Sequence, residues 1–130
     1  MRVLVCDDEP ATRFVITRVL TQHCDCEVTD CADGIEALRH LAREQYSALF
    51  LDLEMPHMNG MQVLERLRAS EATRDLPVIV LSGERRAIVV QQLLRMGITD
   101  YILKPPQRDS IVKRVAELKR SLAGPPQAQA

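Results

Sequence analysis

Apolar runs of strand length alternate with segments of helical period five times along this chain, and that alternation is its strongest constraint on folding. Val3, Leu4, Val5 and Cys6 open the series, and Ala11 to His23 follows with Ala11, Phe14, Val15, Ile16, Val19 and Leu20 at helical spacing. Cys26 to Cys31 alternates weakly around Val28, then Ile35, Leu38, Leu41 and Ala42 mark a helix from Asp33. Ser47 to Leu51 is apolar again; after a Met-Pro-His-Met-Asn-Gly loop, Leu64 and Leu67 repeat toward Ala69. Pro77 introduces Val78 to Leu81, and a helix predicted from Glu84 to Met96 closes at Gly97, a residue that tolerates left-handed dihedrals. Ile98 to Leu103 reads as the fifth strand, and Ile111, Val115, Leu118 and Leu122 as the last helical stripe.

Strands that alternate with helices pair in parallel through right-handed crossovers, so the pattern predicts an α/β fold with helices on both faces of a doubly wound five-stranded parallel sheet. Strands covered on both faces are continuously apolar, as at Val3, Ala48 and Val78; the polar second strand therefore belongs at an edge. The flavodoxin-like order 2-1-3-4-5 meets this requirement and makes strands one and three neighbours at the switch point, where a ligand site opens. At 130 residues the chain holds one domain, taken as 1–122, with 123–130 a Pro/Ala/Gln-rich tail or the start of a linker.

Composition excludes several functions. Lys plus Arg is 17 against 18 for Asp plus Glu, a net charge of −1, so the domain lacks the basic excess that holds a phosphate backbone. No Trp, two Tyr and two Phe leave no platform for stacking bases. No apolar stretch approaches the roughly 20 residues of a membrane span, and no charged leader with an apolar h-region precedes the first strand. A cytoplasmic protein is expected, with Cys6, Cys24, Cys26 and Cys31 as reduced, packed thiols. A zinc cluster of His23, Cys24, Cys26 and Cys31 is disfavoured, because Cys24 and Cys26 form a C-x-C pair outside the usual spacing.

Ligands of open parallel sheets lie beyond the carboxyl ends of the strands. Strand one stops at Asp7 and Asp8, strand three at Asp52, strand four at Ser82 and strand five at Lys104. Each alone has an ordinary explanation: Asp7 and Asp8 as acids at a helix start, Asp52 and Ser82 as turn or cap residues, Lys104 as a solvated strand end. Their joint placement on one rim does not. Carboxylates crowded together repel unless a cation compensates, and oxygen donors without His or Cys suit Mg²⁺. Asp52 could then accept a phosphoryl group as an acyl phosphate, with Lys104 neutralising charge and Ser82 donating a hydrogen bond.

These residues resemble the receiver domain of bacterial two-component response regulators. The resemblance runs from Val3 to about Leu122 through V-L-V-C-D-D-E-P, L-F-L-D-L-E-M-P-H-M-N-G, V-I-V-L-S-G and Y-I-L-K-P. It implies a phosphorelay protein, not a turnover enzyme, that takes a phosphoryl group onto Asp52 from a sensor histidine kinase or phosphotransfer protein. It further implies Mg²⁺ on Asp7, Asp8, Asp52 and the Glu54 backbone carbonyl, a switch pair in Ser82 and Tyr101, and Lys104 on the phosphoryl group. The Lys104–Pro105 bond is implied to be cis. Glu54 and Glu84, two residues after Asp52 and Ser82, flank the site, and Pro106 stands where the family often has Phe. A degenerate receiver acting only as an interaction module would lack an acid, the hydroxyl or the lysine, and here all are present. Haloacid-dehalogenase phosphatases expect Asp-x-Asp after the first strand, and a flavodoxin-like carrier expects a phosphate-cradling loop where Glu9 and Pro10 stand; neither fits.

His23, His40 and His57 match no site position and read as surface or packing residues, and Met55, Met58 and Met61 as loop and core fillers. Helix four carries Arg85, Arg86 and Arg95 and helix five Arg108, Asp109, Lys113, Arg114, Glu117, Lys119 and Arg120, so both lean basic, which solvated faces with cations near helix C-termini would also explain. A phosphorylation-sensitive face of helix four, strand five and helix five, binding an output partner or a second copy, is the expectation.

Overall fold

The computed structural model describes residues 1–124. Strands β1 (Arg2–Cys6), β2 (Glu27–Cys31), β3 (Ala48–Asp52), β4 (Val78–Ser82) and β5 (Asp100–Leu103) alternate with helices α1 (Pro10–His23), α2 (Gly34–Arg43), α3 (Gly60–Ala69), α4 (Ala87–Arg95) and α5 (Arg108–Ala123). All strand pairs are parallel, in the order β2-β1-β3-β4-β5. The α/β class, the strand order and the edge position of β2 are those the sequence predicts. The tail from 125 onward lies outside the described residues; α5 extends through Ala123 to a Gly124 C-cap.

Strand periodicity builds two cores. Val3, Val5, Phe50, Ile79, Leu81 and Ile102 pack with Ile16 and Leu20 of α1 and Ile111, Val115 and Leu118 of α5. Leu4, Cys6, Leu49, Leu51, Val78 and Val80 pack on the other side with Ala37 of α2, Val63, Leu64 and Leu67 of α3 and Leu93 of α4. Successive side chains alternate between faces. Asp7, Asp52 and Lys104 therefore continue the α1/α5 side of their strands, whereas Ser82 and Tyr101 continue the α4 side. β3 and β4 are buried at every position, so the polar groups at their ends are held by a rigid scaffold.

Several expectations change. Helix α4 begins at Ala87, not Glu84, because the Glu84 carboxylate folds back onto the Arg86 N–H at 2.9 Å and onto its guanidinium at 2.9 Å. β5 begins at Asp100, not Ile98: Gly97 at φ 79° turns the chain off α4, and the Thr99 N–H donates to the Val78 carbonyl at 2.8 Å before the ladder starts. Phe14 and Val15, assigned by period to the core stripe of α1, are exposed, and Ile16, Val19 and Leu20 alone carry it. Ile35 and Leu122 are likewise exposed. Among the described residues no helix is long and apolar enough to cross a membrane.

Candidate functional site

β1 and β3 are adjacent in register, with Cys6 opposite Leu51, so the residues that follow meet at one point. Asp7, Asp8 and Asp52 each place a carboxylate oxygen within 4.8 Å of the others. Asp7 and Asp52 are fully buried and Asp8 is exposed. Buried carboxylates are costly without partners, and the surroundings supply some. Lys104 Nζ lies 3.1 Å from Asp7 Oδ2 and 3.0 Å from Asp52 Oδ1. The Glu9 N–H donates to Asp7 Oδ1 at 2.9 Å, and the Glu54 N–H to Asp52 Oδ1 at 3.3 Å.

Compensation is incomplete. Asp52 Oδ2 has no hydrogen-bond partner, and Asp7 Oδ2 has none beyond its ion pair with the Lys104 ammonium. Burial pushes the Asp52 carboxyl up to about 7; the hydrogen bond to Lys104 opposes this and the charge of Asp7 reinforces it. For Lys104 burial acts to lower the pKa, but its contacts with Asp52 and Asp7 prevail and raise it. The unpartnered Asp52 oxygen beside Asp7 and Asp8 leaves an unfinished coordination shell for a hard cation, and the all-oxygen donor set fits Mg²⁺.

A second group forms on the α4 side. Ser82 Oγ donates to Glu54 Oε1 at 2.7 Å and accepts the Glu84 N–H at 2.9 Å. The Tyr101 hydroxyl donates to the Glu84 carbonyl at 2.5 Å, and burial raises its pKa. Hydrogen bonds from the Arg86 side chain and backbone hold the Glu84 carboxyl at about 2. The Lys104–Pro105 peptide is cis.

Three contributors escaped the sequence reading. A Cβ on Gly60 would stand 2.4 Å from the Asp52 carbonyl oxygen and 2.8 Å from Leu53 Cα, so α3 can start against the end of β3 only with glycine there. The Asn59 side chain, capping α3 at the Gln62 N–H, was its available signal. Arg13 Nη1 donates to the Asp7 carbonyl at 2.7 Å, fixing the acid's backbone from α1. The bond between Glu54 and Ser82 had no local signal. The disfavoured zinc cluster does not assemble: Cys24 and Cys26 pack on the α1/α5 side and Cys31 on the opposite one. All four thiols are free and buried.

Residues 3–116 match the response regulator receiver domain family. The chain belongs to that family. The receiver is 33% identical over 106 residues to a chemotaxis protein CheY homolog of Campylobacter jejuni, covering 81% of this chain and 82% of that one. It is 30% identical over 116 residues to the CAI-1 autoinducer sensor kinase/phosphatase CqsS of Vibrio cholerae, covering 88% of this chain but 17% of that protein. Its fold superposes on the receiver domain of sensor histidine kinase PA1611 from Pseudomonas aeruginosa with a TM-score of 0.82 at 28% identity, covering 92% and 98% of the two chains. Receiver domains act as phospho-acceptors with intrinsic phosphotransfer and dephosphorylation activity. The Asp7, Asp8 and Asp52 cluster of this receiver matches the family's Mg²⁺ site and is poised for Mg²⁺-dependent phosphotransfer signalling.

Proposed function

We propose that this domain takes a phosphoryl group onto Asp52 from the phosphohistidine of a sensor kinase or phosphotransfer protein, and passes the signal on through α4, β5 and α5. The observation that carries this is the state of Asp52, a buried carboxylate at the end of a central strand with one oxygen beside Lys104 and the other unpartnered. Asp7, Asp8, Asp52 and the Glu54 backbone carbonyl would hold Mg²⁺, which neutralises charge on the transferring group. Attack by a carboxylate oxygen of Asp52 on phosphorus forms the acyl phosphate, and the donor imidazole departs with the electrons of its N–P bond. Lys104 then pairs with a phosphoryl oxygen, and the Ser82 hydroxyl donates to another. Tyr101, bound to the carbonyl of the loop that Ser82 anchors, relays that change to α4.

The likeness to CqsS and to the PA1611 receiver supports a histidine kinase as donor, and the magnesium ion coordinated in the PA1611 active-site cleft supports the same ion here. Ile88 and Leu94 are exposed on α4, which supports that helix as part of an interface with an output partner or a second copy. The cytoplasm is the compartment where such donors act, and neither nucleic acid nor membrane is a direct partner of this domain. With Mg²⁺ and acetyl phosphate the protein gains one labile phosphate, and Asp52→Asn gains none. Stoichiometric labelling of Asp52→Asn removes Asp52 from the role.

A further inference from the structure

We propose that Glu54 is a positioning residue: its carboxylate latches the Ser82 hydroxyl in the resting protein and releases it only to a phosphoryl group. The proposal rests on the reading of Asp52 as acceptor and concerns what that group must displace. A serine hydroxyl has one proton to donate. In Ser82 that proton is committed to Glu54 Oε1 over 2.7 Å, while the oxygen accepts the Glu84 N–H. Ser82 is fully buried, so its hydroxyl cannot turn to bulk water without moving the strand end.

A hydrogen bond to a carboxylate is charge-assisted and stronger than one between neutral groups. The hydroxyl therefore leaves Glu54 only for an acceptor of comparable strength. Phosphorylation of Asp52 creates such an acceptor, with a charge near −2. It also acts on the latch itself, because the Glu54 backbone N–H already sits 3.3 Å from Asp52 Oδ1 and the new charge repels the nearby carboxylate. One event thus supplies the replacement acceptor and drives out the resident one. Ser82 carries the Glu84 N–H, and the Glu84 carbonyl carries Tyr101, so resting placement of the β4–α4 loop depends on a side chain two residues beyond the acceptor.

The test uses Tyr46→Phe protein, in which Tyr101 is the sole tyrosine and no tryptophan interferes. Glu54 is exposed, so its variants fold, and thermal melts check this. Beryllofluoride with Mg²⁺ is titrated as the phosphoryl mimic while Tyr101 emission is followed. Glu54→Ala lowers the half-saturating concentration about fivefold. Glu54→Gln, which keeps an acceptor without charge, lowers it less, and both gains vanish in a Ser82→Ala background. In the resting protein Glu54→Ala changes Tyr101 emission, and the same substitution made in Ser82→Ala protein produces no change. Equal gains from Ala and Gln that persist with Ser82→Ala overturn the latch in favour of simple charge repulsion. An unchanged resting Tyr101 signal in Glu54→Ala overturns it as well, and that comparison holds even if Asp52 proves not to bind the mimic.

Discussion

The Lys104 ammonium lies 3.0 Å from Asp52 Oδ1 although β4 separates their strands. Reaching across a strand, it is the one cation among the described residues paired with both buried acids. Lys104→Gln leaves those acids uncompensated and lowers stability by about 2 kcal/mol, less than a fully buried broken pair because Asp52 can take up a proton. Urea titration without metal measures the loss, and saturating Mg²⁺ restores most of it. A variant as stable as the parent would show that the ammonium contributes nothing to holding the acids.

Mg²⁺ requires deprotonated carboxylates. With the Asp52 carboxyl raised to about 7, binding must displace a proton below that pH, so affinity rises about tenfold per unit up to about pH 7 and levels off above it. Without metal the sign reverses for folding. The native state favours protonated Asp52, so stability falls as pH rises from 3.8, the unperturbed value, through about 7. Calorimetric titrations between about pH 6 and about pH 8 check the first statement, and metal-free melts the second. Asp52→Asn flattens both profiles, Asp8→Asn weakens binding, and replacing the four cysteines with serine leaves binding intact.

Gly60→Ala is expected to be costly because the obstruction is backbone, not a flexible side chain. Separating α3 from the end of β3 to admit the methyl group costs about 2 kcal/mol and displaces the carbonyl of Asp52. The variant should therefore lose both denaturant resistance and rate of labelling by acetyl phosphate. Normal labelling in a destabilised variant would confine the glycine's role to packing.

Ile88 is 66% and Leu94 54% exposed, so replacing both with Ser changes stability by no more than about 0.5 kcal/mol per site. If α4 belongs to the output surface, the double variant still accepts phosphate but loses phosphorylation-dependent association in sedimentation. Unaltered association would move the interface to another face.

Strand order and rim placement were legible because both follow from position along the chain: an apolar run marks a strand buried on both faces, and its last residue faces the open end. Asp7, Asp52, Ser82 and Lys104 are of that kind. Phe14 and Val15 misled because helical period fixes the side of a helix only to within a turn, and α1 buries a narrower stripe than its apolar residues suggest. The start of α4 was missed because the Glu84 carboxylate accepts the Arg86 N–H and guanidinium while Arg86 itself stays extended, so the helix begins one residue later. Gly60 against Asp52, and Glu54 against Ser82, are long-range contacts that no local pattern encodes.

The alternation of β strands gives Asp7, Asp52 and Lys104 to one side of the sheet and Ser82 and Tyr101 to the other. The sheet consequently works as a partition wall between the acids and the α4 part of the output face, while α5 shares the acids' side. Substitutions beneath α4 can retune what is communicated while the acids keep their company, and changes along α1 can retune the acids while the message stays the same. The contacts beneath α4 are thus free to vary without disturbing the acids, so long as the hydroxyl that ends β4 still reaches around the wall to the phosphoryl group.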